Sequence, residues 1–491
     1  MVAPLWRVVP ISALLSPTTA RALDSHRGYG GEPILTHNVR VLGDGVEVCT
    51  WGPTWGGFEC EVLSTDGSGL ARWIRGVIGQ LQLSLDGGVT WVPAGLGTLK
   101  NVHTKPPRMT MTFAGLGPML ESRRDYGGVS YGLFANVPTE TDVTVNYTAG
   151  TATLTVTSTA GFERETGGSY MIKITQGASS YYLTATGSTA TTFTGCSATG
   201  KLGTTAVNVT VGAVVESVAY IFGHPIDIAR KVFASTGAGT NGAYDTLPAS
   251  WGLGLPDSLL DHVDIARVRS VMTPSSGSWE MYATSDEAID SPISWLLGYL
   301  TPCAVWPTVR QGMVTFRCAQ IPSVARAYQP PWPIDDTMIT AGGIEGDFYF
   351  DSAPVEFYQS QVADPGASNT NTPDAPPKTT PASDRFTTTI AGLYSNQSAC
   401  RSEVLGRTAY WPTRPPEHFR LVCAGLGMWA LAAGDLVSLT SNQMWRRQGF
   451  LGFPNDGLFL KDYAGLVLNV QPDLAAGTVA IDVACLPELS D

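Results

Sequence analysis

Short runs of alternating apolar and polar residues, each ended by turn residues, are the feature that most constrains this chain. The runs span a few residues each and stop at glycine, proline or Asp-Gly. A period of two residues is typical of β-strands. The 54 glycines and 33 prolines make up about 18% of the 491 residues, below the roughly 25–30% that is typical of disordered chains. A long-helix or coiled-coil protein is therefore excluded.

The chain is too long for one core of ordinary size, and a length-based prior gives about three domains. We predict a mainly β, multi-domain protein with a few short helices. Residues 39–136 read as a first β-barrel domain, because a meander of strands is closed most simply as a small barrel or sandwich. The segments that predict its strands are Val46–Cys49, Phe58–Leu63, Trp73–Leu85, Val89–Val92 and Met109–Phe113.

Residues 1–38 read as an N-terminal arm or strand. Met1 to Ala22 has some features of a secretory signal, since an apolar run precedes small residues. However, Pro10 interrupts the run and Arg7 is the only basic residue before it. We therefore expect no cleavage near Ala22.

Residues 137–218 change character and predict an inserted all-β module. The stretch is rich in threonine, glycine and alanine, and its short alternating segments favour strands over helices. The flanking segments Tyr131–Leu133 and Ala219–Ile221 are apolar and aromatic. We therefore expect the host fold to continue across the insertion.

Residues 219–363 predict a middle α+β region with three helices. Pro225–Ala234 begins with proline and carries Asp227 in its first turn, both of which favour a helix N-terminus. The segments from Pro256 to about Val263 and Pro292–Leu300 have similar signals. Residues 364–384 contain five prolines and no large apolar residue, which is typical of a linker or long loop.

Residues 385–491 predict a C-terminal helix followed by a closing β-barrel or sandwich. Ser395–Leu405 fits the helix, and Arg407–Pro416 fits an extended crossing. The remaining segments alternate as strands do. They are Phe419–Cys423, Leu436–Leu439, Leu458–Leu460, Leu466–Val470 and Val479–Val483.

Charge limits what the surface can bind. The formal net charge is −12, which disfavours binding of the outer surface to a phosphate backbone. Charged residues make up only 15% of the chain, against about 25% in ordinary soluble proteins. We infer that much of the surface is buried in an assembly. No run of 18 apolar residues occurs, which argues against a helical membrane span.

Cysteine and histidine spacing predicts no metal site. The eight cysteines are widely spread and include no CxxC pair, so we expect buried free thiols. The six histidines form neither HExxH nor HxH, and none lies near a GxSxG serine. The cysteines are Cys49, Cys60, Cys196, Cys303, Cys318, Cys400, Cys423 and Cys485, and the histidines are His26, His37, His103, His224, His262 and His418.

Two glycine motifs have structural interpretations. Gly237–Gly242 matches G-x-G-x-x-G, but a helix precedes it and Pro248 follows, so we expect a flexible loop instead of a dinucleotide site. Ser84–Trp91 resembles an Asp box, S-x-D-x-G-x-T-W, in which Asp86 and Thr90 bond turn amides and Trp91 packs beneath. One copy does not make a propeller, so we expect a structural hairpin.

Paired acids and tryptophans are candidates for a carbohydrate site. Asp257 with Asp261, and Asp335 with Asp336, could serve glycoside hydrolysis, but solvated faces explain them more simply. The tryptophans could stack on sugars, although burial is the more common fate of such residues. They are Trp51, Trp55, Trp251, Trp306 and Trp332. We predict no catalytic residues, no cofactor-binding residues, no metal ligands and no enzymatic activity.

The order of these pieces resembles the tail hub proteins of long, non-contractile-tailed bacteriophages, which are related to baseplate hubs. Three segments carry the resemblance. The first is a glycine-bent strand followed by a strand that ends in a G-x-L turn. The second is a helix that leads into a strand, and the third is a G-D-x-V turn that begins a strand. The segments are Trp73–Gly79 with Met109–Leu120, Ile293–Gln320 with Ile334–Asp336, and Leu431–Leu439 with Gly465–Val467 and Gly477–Val483. Thr153–Gly195 is similar to small β decorations of virion proteins.

This resemblance implies tail-tube-like β-barrels and a homotrimer with pseudo-sixfold symmetry. It implies a structural virion protein at the tail tip, made in the host cytoplasm, that closes the tube or adapts it to the tip and forms part of the DNA-ejection channel. The implied partners are a distal tail or tube protein, the tape measure protein and a central fibre or tip protein. Genome DNA would pass without specific binding, and the 137–218 insert is a candidate for contact with the host surface.

Some related hubs hold an iron–sulfur cluster on clustered cysteines, a pattern that this chain lacks. Two alternatives stay open. The Asp box, the tryptophans and the insert also fit a secreted or surface carbohydrate-binding β protein without catalysis. A tail-associated wall hydrolase is the third reading.

Overall fold

The structure is a computed structural model. It describes residues 5–13, 18–25, 34–42, 55–64, 70, 72–84, 86–117, 120, 133–198, 208–272, 281–300, 305–318, 332–347, 357–362, 385–390, 393–394, 417–424, 428, 430–445, 459–473 and 476–485. These residues form several β-sheets and three α-helices, which confirms a mainly β, multi-domain fold.

Seven strands form a closed barrel at the N-terminus, in the order β1-β2-β3-β4-β7-β6-β5. The strands are β1 Leu5–Ile11, β2 Leu23–Asp24, β3 Ile34–Leu42, β4 Gly57–Leu63, β5 Ile78–Ser84, β6 Val92–Lys105 and β7 Arg108–Ala114. We call this barrel the N-terminal unit. Residues 1–38, predicted above as an arm, thus supply β1, β2 and the first part of β3. Pairing between β1 and β5 can be recognised only in three dimensions.

The barrel is filled by its own side chains. Trp6, Phe58 and Phe113 are at most 2% exposed, and the rings of Phe58 and Phe113 stack at 4.3 Å between centroids. Burying a large apolar side chain fully stabilises a fold by about 1.5–3 kcal/mol. A barrel of about this strand number has an interior just wide enough for side chains.

Trp73–Leu85 is not one long strand, contrary to the prediction. Only its second half, β5, is extended. The first half is a turn in which Trp73 N–H donates to Leu70 O and Val77 N–H donates to Ile74 O. Gly76 adopts φ +94°, a conformation that favours glycine. These local bonds use the amides that a strand would need.

The insert contains two small sheets around a core of its own. Its strands are β8 Glu140–Asp142, β9 Thr153–Thr155, β10 Tyr170–Gln176, β11 Ser179–Ala185, β12 Gly187–Ser188, β13 Thr192–Thr194 and β14 Ser197–Ala198, followed by β15 Val214–Gly223. One sheet has the order β12-β13-β9, and the other begins β14-β11-β10-β15, with β8 also paired to β15. The predicted all-β character of this stretch is confirmed.

Strand β15 joins the insert to the rest of the protein. Its first half pairs with β10, and its second half, from Ala219 to Gly223, pairs with β16, Met281–Ser285. Leu133 on the other flank bridges to Ile289, and Leu133, Ala219 and Ile221 lie in the core of the middle region. The prediction that the host fold continues across the insertion is therefore confirmed at these residues.

The middle region contains three helices, α1 Pro225–Ala234, α2 His262–Met272 and α3 Pro292–Leu300. Two of these match the predicted bounds. The predicted helix from Pro256 to Val263 is wrong, because a 3₁₀ turn at Asp257–Leu259 is followed by Leu260 in an extended conformation that bridges to Val314. Helix α2 then begins at His262.

Six strands form the C-terminal sheet, in the order β19-β25-β26-β27-β24-β20. The strands after β16 are β17 Val305–Arg310, β18 Met313–Cys318, β19 Trp332–Asp335, β20 Ile339–Asp347, β21 Phe357–Val362, β22 Arg385–Ile390, β23 Leu393–Tyr394, β24 Glu417–Ala424, β25 Leu436–Trp445, β26 Phe459–Asp473 and β27 Thr478–Cys485. We call β19, β20 and β24–β27 the C-terminal unit. It draws β19 and β20 from residues assigned above to the middle region, and β26 unites two segments predicted as separate strands.

The strands β17 and β18 pair with each other, and β21 pairs with β22 in parallel on either side of residues 363–384. Several predicted elements lie outside the described residues. These are Val46–Cys49, the linker 364–384, the helix Ser395–Leu405 and the crossing Arg407–Pro416. None of the described helices has the length and apolar character needed to cross a membrane.

Glycine 79 should be irreplaceable in the barrel. A Cβ atom there would lie 2.5 Å from Cε1 of Phe113, whose ring is fully buried against Phe58. We expect Gly79→Ala to destabilise the protein by about 1–3 kcal/mol, the range for overpacking a core, as measured by urea unfolding. At Gly298, in α3, a Cβ would meet no atom within 4 Å, so Gly298→Ala should be neutral or stabilising by up to about 1 kcal/mol. Equal effects of the two substitutions would contradict this account.

Candidate functional site

The N-terminal and C-terminal units share one strand order. Reading across the N-terminal barrel from β3 gives β3-β4-β7-β6-β5-β1, and the C-terminal sheet reads β20-β24-β27-β26-β25-β19. The strands occur in the same chain order in both. The last strand differs in direction, since β1 is antiparallel to β5 whereas β19 is parallel to β25. The chain therefore contains two units that share the order and direction of five strands, β3–β7 in one and β20 with β24–β27 in the other.

The register agrees between the pairs β6–β7 and β26–β27. Leu99, opposite Phe113, and Val467, opposite Val483, are each followed by a bulge, after which Val102 and Val470 again face their partners. Register shifts occur in the pairs β3–β4 and β5–β6 and also in their counterparts, β20–β24 and β25–β26. The pairs β4–β7 and β24–β27 both have a continuous register. The long strands β6 and β26, of 14 and 15 residues, occupy equivalent places.

The turns that precede β5 and β25 are also equivalent. In residues 70–77, which we call the N-terminal turn, Gly76 N–H donates to Leu99 O at 2.9 Å and Leu99 N–H donates to Val77 O at 2.8 Å. In residues 428–435, the C-terminal turn, Gly434 N–H donates to Val467 O at 2.7 Å and Val467 N–H donates to Asp435 O at 2.8 Å. Gly76 and Gly434 have φ values of +94° and +92°.

The two units fill the same backbone with different side chains. The large Phe113 of the N-terminal unit faces Gly79 and lies close to Gly97. Its counterpart is Val483, and the counterpart of Gly79 is Val437. Core volume is thus redistributed between positions, which packed cores tolerate when total volume is kept.

The hairpin of β17 and β18, the junction hairpin, lies between the two units. On one side, Gln80 of the N-terminal unit donates through Nε2 to the carbonyl of Gly312 at 2.9 Å. On the other side, Arg310 Nε donates to the carbonyl of Ala430 in the C-terminal turn at 3.2 Å. Gly312 has φ +67°, and a Cβ there would lie 3.0 Å from the carbonyl oxygen of Gly95. Glycine thus permits both the turn and the close approach.

A buried ion network fastens this hairpin to the helix α2 and to the C-terminal turn. Arg317, 2% exposed, binds Asp264 on α2 through Nη1 and Asp435 through Nη2, the latter at 3.0 Å. Thr315 Oγ1 donates to Asp264 Oδ2 at 2.7 Å. Arg310 reaches the same two carboxylates at 3.6 and 3.7 Å.

The electrostatics of Asp264 show how the network is held. Burial acts to raise the pKa of this carboxyl, but the charges of Arg317 and Arg267 outweigh it and hold the pKa well below its ordinary value. Arg267 Nη2 lies 2.7 Å from Asp264 Oδ1. Charges removed from water must be paired to be tolerated. The geometry therefore fixes the position of the hairpin relative to α2.

The Asp box forms the predicted structural hairpin turn. Asp86 accepts hydrogen bonds from the backbone amides of Val89 and Thr90 at 3.0 and 2.9 Å, and from Ser84 Oγ at 2.7 Å. The Thr90 amide is the largest cause that lowers the pKa of Asp86. Trp91 donates to the carbonyl of Gly88 at 3.1 Å, and the guanidinium of Arg7 lies over its ring at 4.3 Å.

The glycine motif at 237–242 forms a loop after α1, as predicted. Asp245 accepts from the backbone amides of Thr236, Thr240 and Asn241 at 2.8 to 3.0 Å. The side chain of Asn241 donates to the carbonyls of Ala234 and Leu255. The loop therefore bonds to its own neighbours.

The paired acids do not converge on one site. Asp257 lies in the 3₁₀ turn at 2.9 Å from Nε2 of His262, whereas Asp261 accepts from the amide of Asp264. Asp335 bonds Thr337, and Asp336 binds Ser441 and the amide of Asn442. His224 caps α1 by accepting from the amide of Ile226. Each of these groups stabilises a local turn or strand contact.

Three of the five weighed tryptophans are buried. Trp55, Trp251 and Trp306 are at most 7% exposed, whereas Trp332 is 39% exposed. Trp51 lies outside the described residues. Cys60, Cys196 and Cys423 are buried free thiols, and burial raises the pKa of Cys423 to about 11. Within the described part of the chain, no three histidines, cysteines or acids lie close enough to hold a metal ion.

Sequence reasoning missed the ion network. The sequence predicts only the G-D-x-V turn at Asp435 and assigns no role to Arg310, Arg317 or Asp264. A signal existed in β18, where Thr315 and Arg317 share one face of an otherwise apolar strand. A charged side chain in a buried strand needs an oppositely charged partner. The partners of Arg317 are Asp264 and Asp435, which lie 53 and 118 positions away in sequence.

No protein-family model matches the chain, and no curated protein sequence is significantly similar to it. Solved structures with some likeness include the tail protein from Neisseria meningitidis MC58, with a TM-score of 0.41, 9% identity and coverage of 99% of this chain and 97% of that chain. The 43 kDa tail protein of prophage MuSo2 from Shewanella oneidensis has a TM-score of 0.35 and 9% identity, with coverage of 98% of this chain and 98% of that chain. A chain of a native gene transfer agent virion has a TM-score of 0.17 and 14% identity, with coverage of 44% of this chain and 79% of that chain. TM-scores below 0.5 at such identities do not establish a common fold or function.

Removal of Asp435 should be costly. We expect Asp435→Ala to lower the free energy of unfolding by about 3 kcal/mol or more, because it breaks a buried pair and leaves Arg317 with one carboxylate partner. Urea unfolding measures this loss. Arg108→Ala is the control, since Arg108 and Glu61 form an ion pair at 3.2 Å in which Arg108 is 65% exposed, and exposed pairs contribute less than about 1 kcal/mol. Equal losses would show that the network does not hold the joint.

The contribution of Asp264 should depend on pH. Because its pKa is lowered in the folded protein, its stabilising contribution is present above the unfolded value of about 3.9 and is lost as pH falls further. The stability difference between the wild type and Asp264→Asn should therefore stay constant from pH 7 to about pH 5 and shrink below about pH 4. Unfolding curves at a series of pH values test this. A difference that grows on acidification would be inconsistent with the assigned direction.

Proposed function

We propose that the protein is a structural component of a bacteriophage tail, and more specifically a hub at the tip of a long, non-contractile tail. In this role it closes the tail tube or adapts it to the tip as a homotrimer located in the virion. The observation that carries the proposal is the pair of equivalent β units in one chain. Three copies present six equivalent units, so a threefold ring can continue a sixfold tube.

The filled barrel supports a channel between copies. Trp6, Phe58 and Phe113 occupy the interior of the N-terminal unit, so DNA has no path through it. A channel for DNA ejection is therefore lined by the outer faces of several units. The net charge of −12 suits a lumen through which a polyanion passes without binding.

The joint supports a mechanical role. The junction hairpin binds both units, and its buried ion network gives the C-terminal turn a fixed place relative to α2. A ring of rigid protomers needs such fixed angles, because small errors in rotation prevent closure. The proposed neighbours in the tail are a distal tail or tube protein, the tape measure protein and a central fibre or tip protein. The insert, which has its own core, is proposed for contact with the host surface.

The carbohydrate-binding alternative was supported by the Asp box, the tryptophans and the insert. Of the tryptophans, Trp55, Trp251 and Trp306 are buried. Asp86 in the Asp box is engaged by its own turn.

Light scattering of the purified full-length protein over a concentration series tests the proposal. We expect a species with three times the mass of the 52.1 kDa chain, with residue 1 intact. Gold-labelled antibody against the protein should bind virions at one end of the tail. A strict monomer at all concentrations would contradict the trimer, and label on the capsid or along the whole tail would contradict the tip.

A further inference from the structure

Residues 162–166, which we call the strap, connect the insert to the middle region through side chains that point alternately to the two sides. Phe162 lies in the core of the insert and packs against Phe193, with 5.0 Å between the ring centroids. The guanidinium of Arg164 also turns to the insert, where it lies 4.7 Å from the centre of the Tyr170 ring. These two side chains fasten the strap to the insert.

The alternate side chains of the strap are acids that bind the middle region. Glu163 accepts a hydrogen bond from Ser250 Oγ. Glu165 Oε1 lies 2.6 Å from Nζ of Lys231, on α1, and accepts a hydrogen bond from Thr246 Oγ1 at 2.9 Å. The strap therefore binds the insert with one set of side chains and the middle region with the other.

The insert and the middle region have separate apolar cores. Within the part of the chain that the structure describes, the two cores have no residue in common. The strap binds the middle region through polar groups, and the side chains of Lys231 and Glu165 are 16% and 13% exposed. A second link, Lys173 Nζ to Asp286 Oδ2 at 3.4 Å, is also ionic. Partly exposed ion pairs are screened by salt, so these links can break without exposing either core to water.

The chain enters and leaves the insert at neighbouring positions. Ser217 N–H donates to the carbonyl of Thr139 at 2.9 Å, and Thr139 N–H donates to Ser217 Oγ at 2.7 Å. The pairing of β15 passes from β10 to β16 between Val218 and Ala219. Both crossings thus lie within a few residues of each other, and a few residues at the ends of elements are enough to form a hinge.

We propose that the strap is a releasable latch that holds the insert in a closed position against the middle region. When Glu163 and Glu165 leave their partners, the insert rotates about the hinge at Thr139 and Ser217 while both cores stay folded. Because the contact between Glu165 and Lys231 is ionic, raised salt favours the open position. The latch itself needs no second copy of the chain, but its use in turning the insert toward a host surface rests on the proposed function.

Hydrogen exchange of the full-length protein tests the latch. The amide of Thr166 reports on it directly, because it donates to the carbonyl of Thr246 at 2.8 Å. We expect Glu165→Lys, which places a like charge beside Lys231, to raise the exchange rate of that amide about tenfold or more, since exchange follows local opening. Raising the salt concentration should act on the wild type in the same direction. The amides of β10 and α1 should exchange at wild-type rates, because neither core opens.

Reversing the other partner completes the test of the ion pair. Lys231→Glu alone should speed exchange as Glu165→Lys does. The two substitutions together restore opposite charges, so the double variant should exchange more slowly at Thr166 than either single variant. Glu140→Lys is the matched control, because it makes the same change of charge at an exposed position on the insert. It should leave the exchange of Thr166 unchanged.

Small-angle X-ray scattering of the same variants measures the rotation, and the open position should increase the radius of gyration. Wild-type exchange at Thr166 in Glu165→Lys would overturn the latch, as would a loss of protection in β10 together with the strap. Fast exchange at an unchanged radius of gyration would overturn the rotation. Failure of the wild type to form a trimer would count against the proposed function and leave the latch standing.

Discussion

The arrangement of this protein depends on a guanidinium group buried between two carboxylates. Arg317 is almost fully removed from water and binds Asp264 on one side and Asp435 on the other. An unpaired charge at that depth would be strongly unfavourable, so the hairpin, the helix and the C-terminal turn share a single favourable placement. Apolar packing alone tolerates sliding, because it has no preferred direction.

Asp435 shows how one of two similar units acquired this function. Its counterpart in the N-terminal unit is Val77, which is fully buried without a charge. The backbone bonds of both turns are the same, so the turn does not require an acid at that position. In the C-terminal unit the carboxylate also accepts from the amide of Ala432 at 2.9 Å. The acid therefore adds a link to the hairpin while leaving the turn as it was.

Local features of the fold were predictable, and the relation between distant parts was not. The bounds of α1 and α3 follow from proline at the first turn and from helical spacing, and the Asp box follows from its own residues. Residues 73–77 of the N-terminal turn were predicted as the start of the strand Trp73–Leu85, because their apolar residues and glycines fit a bent strand. Hydrogen bonds to Leu99 decide its shape, and these come from another strand.

The candidate site was harder still. The equivalence of the two units is a property of strand order and register, which the side chains do not repeat: Phe113 corresponds to Val483 and Gly79 to Val437. A search for repeated sequence motifs cannot find this equivalence, because large and small core side chains occupy different positions in the two units. The ion network joins residues from three separate segments, and the sequence predicts only the turn at Asp435. Pairings at such sequence separation are set by the whole fold.

The continuity of β15 has a mechanical consequence. The strand runs from the insert directly into the sheet of the middle region, and its hydrogen bonds to β10 and β16 lie across its length. A force applied to the insert along β15 would act on all these hydrogen bonds at once. They would therefore have to break together for the strand to slide. The insert is thus joined to the body of the protein through one continuous hydrogen-bonded strand.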